Sequence, residues 1–168
     1  SLLTIPRHIT RPISLSGGIS TIEQAREVIR AGYDRIGLTY PFKNAPALAD
    51  QIVQELGASS LAIHIRIQAG DNIASLIEDV IKSHQASEFI VHDVNAAGTL
   101  GGLNSDIVSL LTQNTDHNFA ISGGFNGGSG LKSLRVYYST KFMFPLRKDR
   151  LDGSVNERDL ASFLVRAI

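Results

Sequence analysis

The chain has no cysteine and no tryptophan, and its 16 basic and 16 acidic side chains cancel to a formal net charge of zero. The absence of cysteine excludes disulfides, thiolate nucleophiles and cysteine-ligated metals. The balanced charge argues against nucleic-acid binding, and no apolar run approaches the length of about 18 residues that a membrane span needs. We therefore expect no cofactor, no metal, no nucleic-acid partner, no membrane partner and a cytoplasmic location.

The chain does have enough apolar sequence to build one core. Of its 168 residues 43% are hydrophobic, and 15 are glycine. This composition is typical of a soluble globular protein, and no linker-like segment divides the chain, so we predict a single domain over residues 1–168. The first residue is not Met, which predicts a trimmed or truncated N-terminus, and the sequence pattern of a secretory leader is missing.

Strand-like and helix-like segments alternate from about residue 12 onward. The predicted strands are Ile13–Ser16, Arg35–Tyr40, Leu61–Ile67, Phe89–Val94, Phe119–Ser122 and Lys141–Leu146. The later helices are predicted at Ala47–Leu56, Ile73–Ser83, Ser105–Leu111, Leu131–Tyr137 and Glu157–Ala167. Such alternation is typical of consecutive βα units on a parallel sheet. The predicted fold class is α/β, with about six TIM-barrel-like parallel (βα) units.

Two helix starts carry the pattern of a capping box, in which a Ser and a Glu three residues later satisfy each other's backbone amides. The first pairs Ser20 with Glu23, and the second pairs Ser154 with Glu157. The first predicts the start of the helix that follows the first strand, and the second predicts the start of the last helix.

The strand at Leu61–Ile67 has one aliphatic face and one polar face, because side chains alternate along a strand. The polar face carries His64 and Arg66 and continues to Gln68. One polar face fits a closed barrel, with aliphatic residues under the helices and polar residues inside, better than an open doubly wound sheet. The same alternation places further residues in that interior: Ser14, Ser16, Gly37, Thr39, His92, Ala120 and Ser122.

The motif Ser-Gly-Gly occurs twice, at Ser16–Gly18 and at Ser122–Gly124, and each copy directly follows a predicted strand. Parallel α/β sheets bind ligands at the carboxyl ends of their strands. Paired glycines free backbone amides to surround phosphate oxygens. The repeat therefore predicts phosphate binding at two places.

Residues 16–39, which begin Ser-Gly-Gly-Ile-Ser-Thr-Ile-Glu, resemble the third βα unit of a known family, the histidine-biosynthesis (βα)8 barrels. This family includes the phosphoribosylformimino-aminoimidazole carboxamide ribotide isomerase and the cyclase subunit of imidazole glycerol phosphate synthase. Residues 44–48 and 55–57 resemble the fourth unit, residues 95–104 the loop after strand six, and residues 120–124 the phosphate loop after strand seven. The resemblance covers units three to eight only.

The resemblance implies a bound phosphorylated small molecule, because the family's two half-barrels each hold one phosphate. The phosphate-binding residues that it implies here are Gly17, Gly18, Thr39, Gly98, Thr99, Ser122, Gly123 and Gly124. The activity that it implies is that of an isomerase or of a lyase (cyclase) in histidine biosynthesis.

The family's two catalytic aspartates have no counterparts in this chain. Strands one and two are missing, and with them the first aspartate. At the strand-five position the family has Ile-Asp or Leu-Asp, whereas this chain has Ile65 and Arg66, and a guanidinium cannot accept a proton. No catalytic residue is therefore carried over. Arg66 is instead predicted to anchor an anion, with a structural ion pair to an interior acid as the alternative.

Three further residues near the strand ends leave alternatives open. His64 and His92 lie on neighbouring predicted strands and suit an acid–base pair, a metal site with a third ligand, or hydrogen-bonded core histidines, of which the last is favoured. Asp93 points away from the His92 face, which favours a structural role such as capping over that of a base.

Two functions follow, together with a prediction about assembly. The chain is either an enzyme of this barrel type that acts on a phosphorylated sugar or ribonucleotide, or an inactive barrel fragment that serves as a binding or assembly module. A rearranged or laboratory-made fragment is a third interpretation. Six strands leave an eight-stranded barrel with two open edges, so we expect a homo-oligomer, a partner chain that completes the barrel, or a smaller distorted barrel.

Overall fold

The computed structural model describes residues 13–42, 47–97, 99, 101–114, 116–124 and 135–137. Six strands form one parallel sheet: β1 Ser14–Ser16, β2 Arg35–Tyr40, β3 Leu61–Ile67, β4 Glu88–Asp93, β5 Phe119–Ser122 and β6 Arg135–Tyr137. Within these residues four α-helices connect the first five strands: α1 Ile22–Arg30, α2 Leu48–Leu56, α3 Ile73–Ser83 and α4 Ser105–Gln113, and a 3-10 turn at Ala58–Ser60 precedes β3. Within these ranges no helix combines the length and the apolar character that crossing a bilayer demands.

The strands are neighbours in the order in which they occur along the chain, from β1 to β6, and all five pairings are parallel. A doubly wound sheet reverses its strand order at a switch point, whereas a TIM barrel adds each new strand on the same side. The described sheet contains no reversal. The fold is therefore α/β and TIM-barrel-like, and the described residues form six of the eight strands of a full barrel, as the sequence predicts.

The sixth strand differs from the prediction. The sequence predicts a helix at Leu131–Tyr137, but Arg135–Tyr137 is strand β6 and pairs with β5, with Ala120 opposite Arg135 and Ser122 opposite Tyr137. The predicted helix is therefore wrong at its carboxyl end. The edge of β5 offers unpaired backbone groups, and a segment containing Val and Tyr suits a strand that satisfies them. The predicted strand Lys141–Leu146 lies outside the described residues.

Helix α1 begins one residue later than its sequence pattern indicates. Thr21, not Ser20, is the N-cap: its hydroxyl accepts from the Gln24 amide at 3.3 Å. The Gln24 side-chain oxygen accepts in return from the backbone amides of Ser20 at 2.8 Å and of Thr21 at 3.3 Å. The predicted box of Ser20 and Glu23 is therefore wrong, because Gln24 reaches both preceding amides. The second predicted box, at Ser154, and the helix Glu157–Ala167 lie outside the described residues.

Helices α2, α3 and α4 agree closely with the predictions. Helix α3 has the predicted bounds, α2 begins one residue later than predicted, and α4 runs two residues further, to Gln113. Asn72 and Asn104 cap α3 and α4 by accepting hydrogen bonds from amides of the first turn. The predicted domain over residues 1–168 extends beyond the described residues and stays a prediction.

The core lies between the sheet and the helices. One face of the sheet contributes Ile36, Leu38, Leu61, Ile63, Ile65, Ile67, Phe89, Val91, Phe119 and Ile121, all buried. The helices pack onto it through Ala25, Val28, Leu48, Ala49, Ile52, Ile77, Val80, Ile107 and Leu111. This confirms the predicted aliphatic face of β3. The opposite face carries the predicted polar side chains and a small separate cluster of Ala62, Ile90 and Ala120.

Candidate functional site

Both Ser-Gly-Gly segments form turns at the same edge of the sheet. Gly17 and Gly18 follow β1, and Gly123 and Gly124 follow β5. All four have positive φ angles, of 96° and 73° in the first pair and 104° and 80° in the second. Side chains other than glycine rarely adopt this conformation, so the motif is required by the backbone at both turns. Because the strands are parallel, the two turns lie at their common carboxyl edge.

The two turns differ in what surrounds them. A Cβ added at Gly17 or Gly18 would meet no atom within 4 Å, so the first turn is open. A Cβ at Gly123 would lie 2.4 Å from the carbonyl oxygen of Asp93, and one at Gly124 would lie 2.2 Å from the carbonyl oxygen of Gly102. The Gly124 carbonyl also accepts from the Gly102 amide at 2.8 Å. The second turn is therefore packed against the loop that follows β4.

A cleft of about 530 Å³ lies beside the first turn. Six residues that the sequence assigned to the polar face or to phosphate binding line it together: Gly17, Gly18, Gly37, Thr39, Arg66 and Gln68. Sequence reasoning missed Asp71, which lies after β3, and the apolar residues Tyr40, Pro41 and Phe42. The Tyr-Pro-Phe segment at the end of a predicted strand was the available signal for these three.

Ser16 and His64 are hydrogen-bonded across the intervening strand. The Ser16 hydroxyl lies 2.9 Å from Nε2 of His64, although β1 and β3 are separated by β2. Gly37 makes this approach possible, because a Cβ there would lie 1.9 Å from the Ser16 Oγ and 2.7 Å from the His64 Nε2. The polar face predicted from strand alternation is thus confirmed for these residues.

His92 makes the corresponding contact on the other half of the sheet. Its Nδ1 lies 2.7 Å from the Ser122 hydroxyl, so each Ser-Gly-Gly serine is paired with a histidine. The favoured prediction of hydrogen-bonded histidines is confirmed. Among the described residues, no group of three His, Asp or Glu side chains is arranged to hold a metal ion.

Both histidines favour the neutral form. Burial lowers the pKa of His64, the nearby His92 lowers it further, and the carboxylate of Glu88 raises it. Burial likewise lowers the pKa of His92, helped by the positive charge of Arg66 and opposed by Asp93. The two imidazoles therefore stay uncharged at neutral pH, and either can donate or accept a hydrogen bond.

Arg66 lies in the same register row as two of these residues. Its Cα faces that of His92, which in turn faces that of Ser122. The side chain is exposed, and none of the described carboxylates lies within 4.0 Å of its guanidinium. The alternative of a structural ion pair is thus not observed within this part of the chain.

A buried acid on the same face was missed because the predicted strand began one residue late. Glu88 starts β4 and is 1% exposed, and its Oε2 lies 3.9 Å from Nη1 of Arg35. The polar face thus contains a carboxylate as well as its histidines and arginines.

Asp93 organises the loop between β4 and α4. Its carboxylate is buried and accepts from the backbone amides of Asn95 at 2.9 Å and Ala96 at 3.1 Å. The predicted capping role is therefore confirmed. Thr99 also serves this loop, because its hydroxyl donates to the Ala96 carbonyl at 2.8 Å and accepts from the Gly101 amide. Gly98, predicted to bind phosphate, lies outside the described residues.

Comparison with known proteins places this geometry in context. A family model described as histidine biosynthesis protein matches residues 2–141. The 1-(5-phosphoribosyl)-5-(5-phosphoribosylamino)methylideneamino imidazole-4-carboxamide isomerase of Methanocaldococcus jannaschii is 25% identical over 141 residues, covering 78% of this chain and 60% of that protein. The imidazole glycerol phosphate synthase subunit HisF of Shewanella sp. (strain ANA-3) is 28% identical over 142 residues, covering 71% of this chain and 55% of that protein. The chain thus spans 55% to 60% of the length of these relatives.

Proposed function

The chain belongs to the histidine biosynthesis protein family, and from this premise we propose that it is a phosphate-binding barrel that binds a phosphorylated sugar or ribonucleotide. The observation that carries the proposal is the open turn at Gly17 and Gly18, which shares a cleft with Thr39 and Arg66. Backbone amides, a hydroxyl and a guanidinium are the groups that bind phosphate oxygens in proteins.

Arg66 and the glycine turn complement each other as a phosphate site. The turn supplies backbone N–H donors that need no side-chain ordering, and its two glycines allow the positive φ angles of this turn. Arg66 adds a positive charge and a planar fork that contacts two phosphate oxygens at once. None of the described acids forms an ion pair with Arg66, so its positive charge attracts an incoming anion.

The turn at Ser122–Gly124 is the second phosphate site that we propose. It follows β5 at the same edge of the sheet, and the loop containing Thr99 packs beside it through the contact between Gly102 and Gly124. Binding at both turns would place the Arg66–His92–Ser122 row between two phosphates. From the family resemblance we propose that Gly98 also binds phosphate.

The proposed reaction class is that of an isomerase or a lyase (cyclase), and it requires groups other than the family's aspartates for proton transfer. Arg66 occupies the strand-five position, and a guanidinium does not give up its proton in proteins. One specific observation therefore favours a second candidate, an inactive barrel fragment that binds ligand or assembles with another chain. In either case we propose that a second copy or a partner chain pairs with the sheet and completes the barrel, because the sheet that the structure describes has six strands and ends at β1 and β6.

Isothermal titration of the full chain with ribose 5-phosphate tests phosphate binding. We expect binding at millimolar ligand or below, with at least a tenfold loss in Gly18→Asp, which adds a negative charge and a strained backbone at the open turn. Gly124→Asp should also weaken binding, but its Cβ would lie 2.2 Å from the Gly102 carbonyl oxygen, so urea denaturation is used to verify that this variant folds. Gly57→Asp is the matched control, because Gly57 also has a positive φ but lies before β3, at the opposite edge. No binding to the wild-type chain, or equal effects of all three substitutions, would overturn the proposal.

An assay for enzymatic turnover distinguishes the active enzyme from the inactive barrel fragment. The substrates of the family's isomerase and cyclase are supplied to the purified chain, and product above background removes the inactive-module candidate. Sedimentation velocity addresses assembly independently. A strict monomer across the concentration range, with phosphate binding intact, would overturn the self-association part and leave the phosphate site standing.

A further inference from the structure

The cleft beside the first glycine turn has two chemically different sides. The polar side consists of the Gly17–Gly18 turn with Thr39 and Arg66. The apolar part of the lining is formed by Tyr40, Pro41, Phe42, Leu48 and Leu76. Leu48 is a buried core residue, whereas Tyr40, Phe42 and Leu76 pack against the core and are only partly buried. The phosphate and the hydroxyl groups of a sugar phosphate find their partners on the polar part of the lining, so the apolar part is available for a less polar group.

The aromatic part of the wall is held in a fixed arrangement. The rings of Tyr40 and Phe42 meet edge to face, with centroids 5.6 Å apart and an interplanar angle of 87°. Phe42 also packs edge to face on the imidazole of His84, at 5.0 Å, and His84 lies 3.8 Å from the carboxylate of Asp50. Phe42 stays partly exposed in the cleft despite these contacts. Such preformed aromatic surface is typical of sites that receive another ring.

The charges in the cleft favour an occupant with a single anionic group. Arg66 is the cation among the described lining residues, whereas Asp71 places a carboxylate in the same lining and uses one oxygen to accept from the Gln68 amide at 2.7 Å. A second anion inside the cleft would meet the Asp71 charge at close range. The second Ser-Gly-Gly turn does not line the cleft and is packed against its own neighbouring loop.

From these observations we propose that the cleft binds a phosphomonoester whose esterified group is an aromatic ring. The phosphate lies against the Gly17–Gly18 turn and Arg66, and the ring packs against Tyr40 and Phe42. The cleft volume of about 530 Å³ lies within the range typical of small-molecule sites. The inference rests on the proposed phosphate site and goes beyond the proposed ligand class, because it adds aromatic phosphomonoesters to the phosphorylated sugars and ribonucleotides proposed above.

Titration calorimetry with three ligands tests the proposed phosphate site and the proposed ring-binding wall separately. Inorganic phosphate, ribose 5-phosphate and phenyl phosphate all offer a phosphate dianion, but only the last offers a ring. We expect phenyl phosphate to bind the full chain at least tenfold more tightly than ribose 5-phosphate, because burying a ring removes more apolar surface from water. Equal or weaker binding of phenyl phosphate overturns the aromatic inference and leaves the phosphate site standing. Binding of none of the three overturns both.

A substitution at the ring-binding wall provides the second arm. Phe42→Ala should lower the affinity for phenyl phosphate at least fivefold and leave that for ribose 5-phosphate unchanged. Tyr33→Ala is the control, since Tyr33 is also a half-buried aromatic residue but lies between α1 and β2, away from the cleft. It should leave both affinities unchanged. An equal loss for both ligands in Phe42→Ala, or no loss for either, would contradict the placement of the ring.

Discussion

The Ser16 hydroxyl and the His64 imidazole lie 2.9 Å apart although a whole strand separates their own strands. The contact bridges from β1 to β3 over Gly37, the one position of β2 where a side chain would stand directly between them. It ties the serine of the open Ser-Gly-Gly turn to the middle of the sheet. Gly37 therefore helps to position the proposed phosphate site, because its missing side chain leaves room for this hydrogen bond.

Replacing Gly37 by Ala should destabilise the fold by about 1 to 3 kcal/mol, the usual range for overfilling a packed site. The new Cβ would lie 1.9 Å from the Ser16 Oγ and 2.9 Å from the Ser16 Cβ, so the serine has to move and the His64 contact breaks. Urea denaturation measures the loss. Ser16→Ala removes the closest atom, so the double variant should lose less stability than the two single losses combined. Strict additivity would contradict the proposed bridge.

Stability should fall as the pH drops below the ordinary histidine pKa of about 6.5. Burial lowers the pKa of His64 and of His92. In this pH range the two histidines therefore bind protons in the unfolded chain but not in the folded chain, which favours unfolding. Each histidine then removes at most about 1.4 kcal/mol of unfolding free energy per pH unit, down to its pKa in the folded protein.

Urea denaturation at a series of pH values between about 7.5 and 5 follows this loss in the wild-type chain and in His64→Gln. The glutamine keeps a polar group beside Ser16 but does not titrate, so its stability should depend less steeply on pH. The same comparison with His92→Gln isolates the second histidine. If the unfolding free energies of all three proteins depend on pH in the same way, these histidines are not the source of the pH dependence.

Replacing Arg66 by Gln should weaken the binding of ribose 5-phosphate by about 10-fold to 100-fold, the usual cost of losing a hydrogen bond to a charged group. Arg66→Lys keeps the charge but loses the two-pronged contact and should fall in between. Arg30→Gln is the matched control, because Arg30 is an exposed arginine in the last turn of α1, at the opposite edge of the sheet. Titration calorimetry distinguishes the three variants. Wild-type affinity in Arg66→Gln would remove this residue from the site.

Replacing Asp93 by Ala should cost about 1.5 to 3 kcal/mol, because the backbone amides of Asn95 and Ala96 lose a charged acceptor. The exchange of these two amides with solvent should accelerate in step, which hydrogen exchange detects residue by residue. Asp79→Ala, at an exposed position on α3, should change stability by less than about 0.5 kcal/mol. Unchanged exchange at Asn95 and Ala96 would show that another group holds the loop.

Much of the fold was determined by local sequence patterns. The alternation within Leu61–Ile67 specified which face of β3 packs under the helices, because strand side chains alternate whatever lies around them. The Ser-Gly-Gly turns were placed correctly at the strand ends, since only glycine adopts their positive φ angles easily. Even the structural role of Asp93 followed from its position in the alternation.

Other features were decided by the tertiary structure. The two Ser-Gly-Gly turns have the same sequence, yet one is open to a cleft and the other is packed on Asp93 and Gly102. The strand at Arg135–Tyr137 forms where the β5 edge supplies its backbone partners. Ser16 and His64 are 48 residues apart in the chain, and only the register of three parallel strands brings them together over Gly37. Periodicity and turn chemistry act within a few residues, whereas contact across strands depends on register and on the space that a neighbouring side chain leaves free.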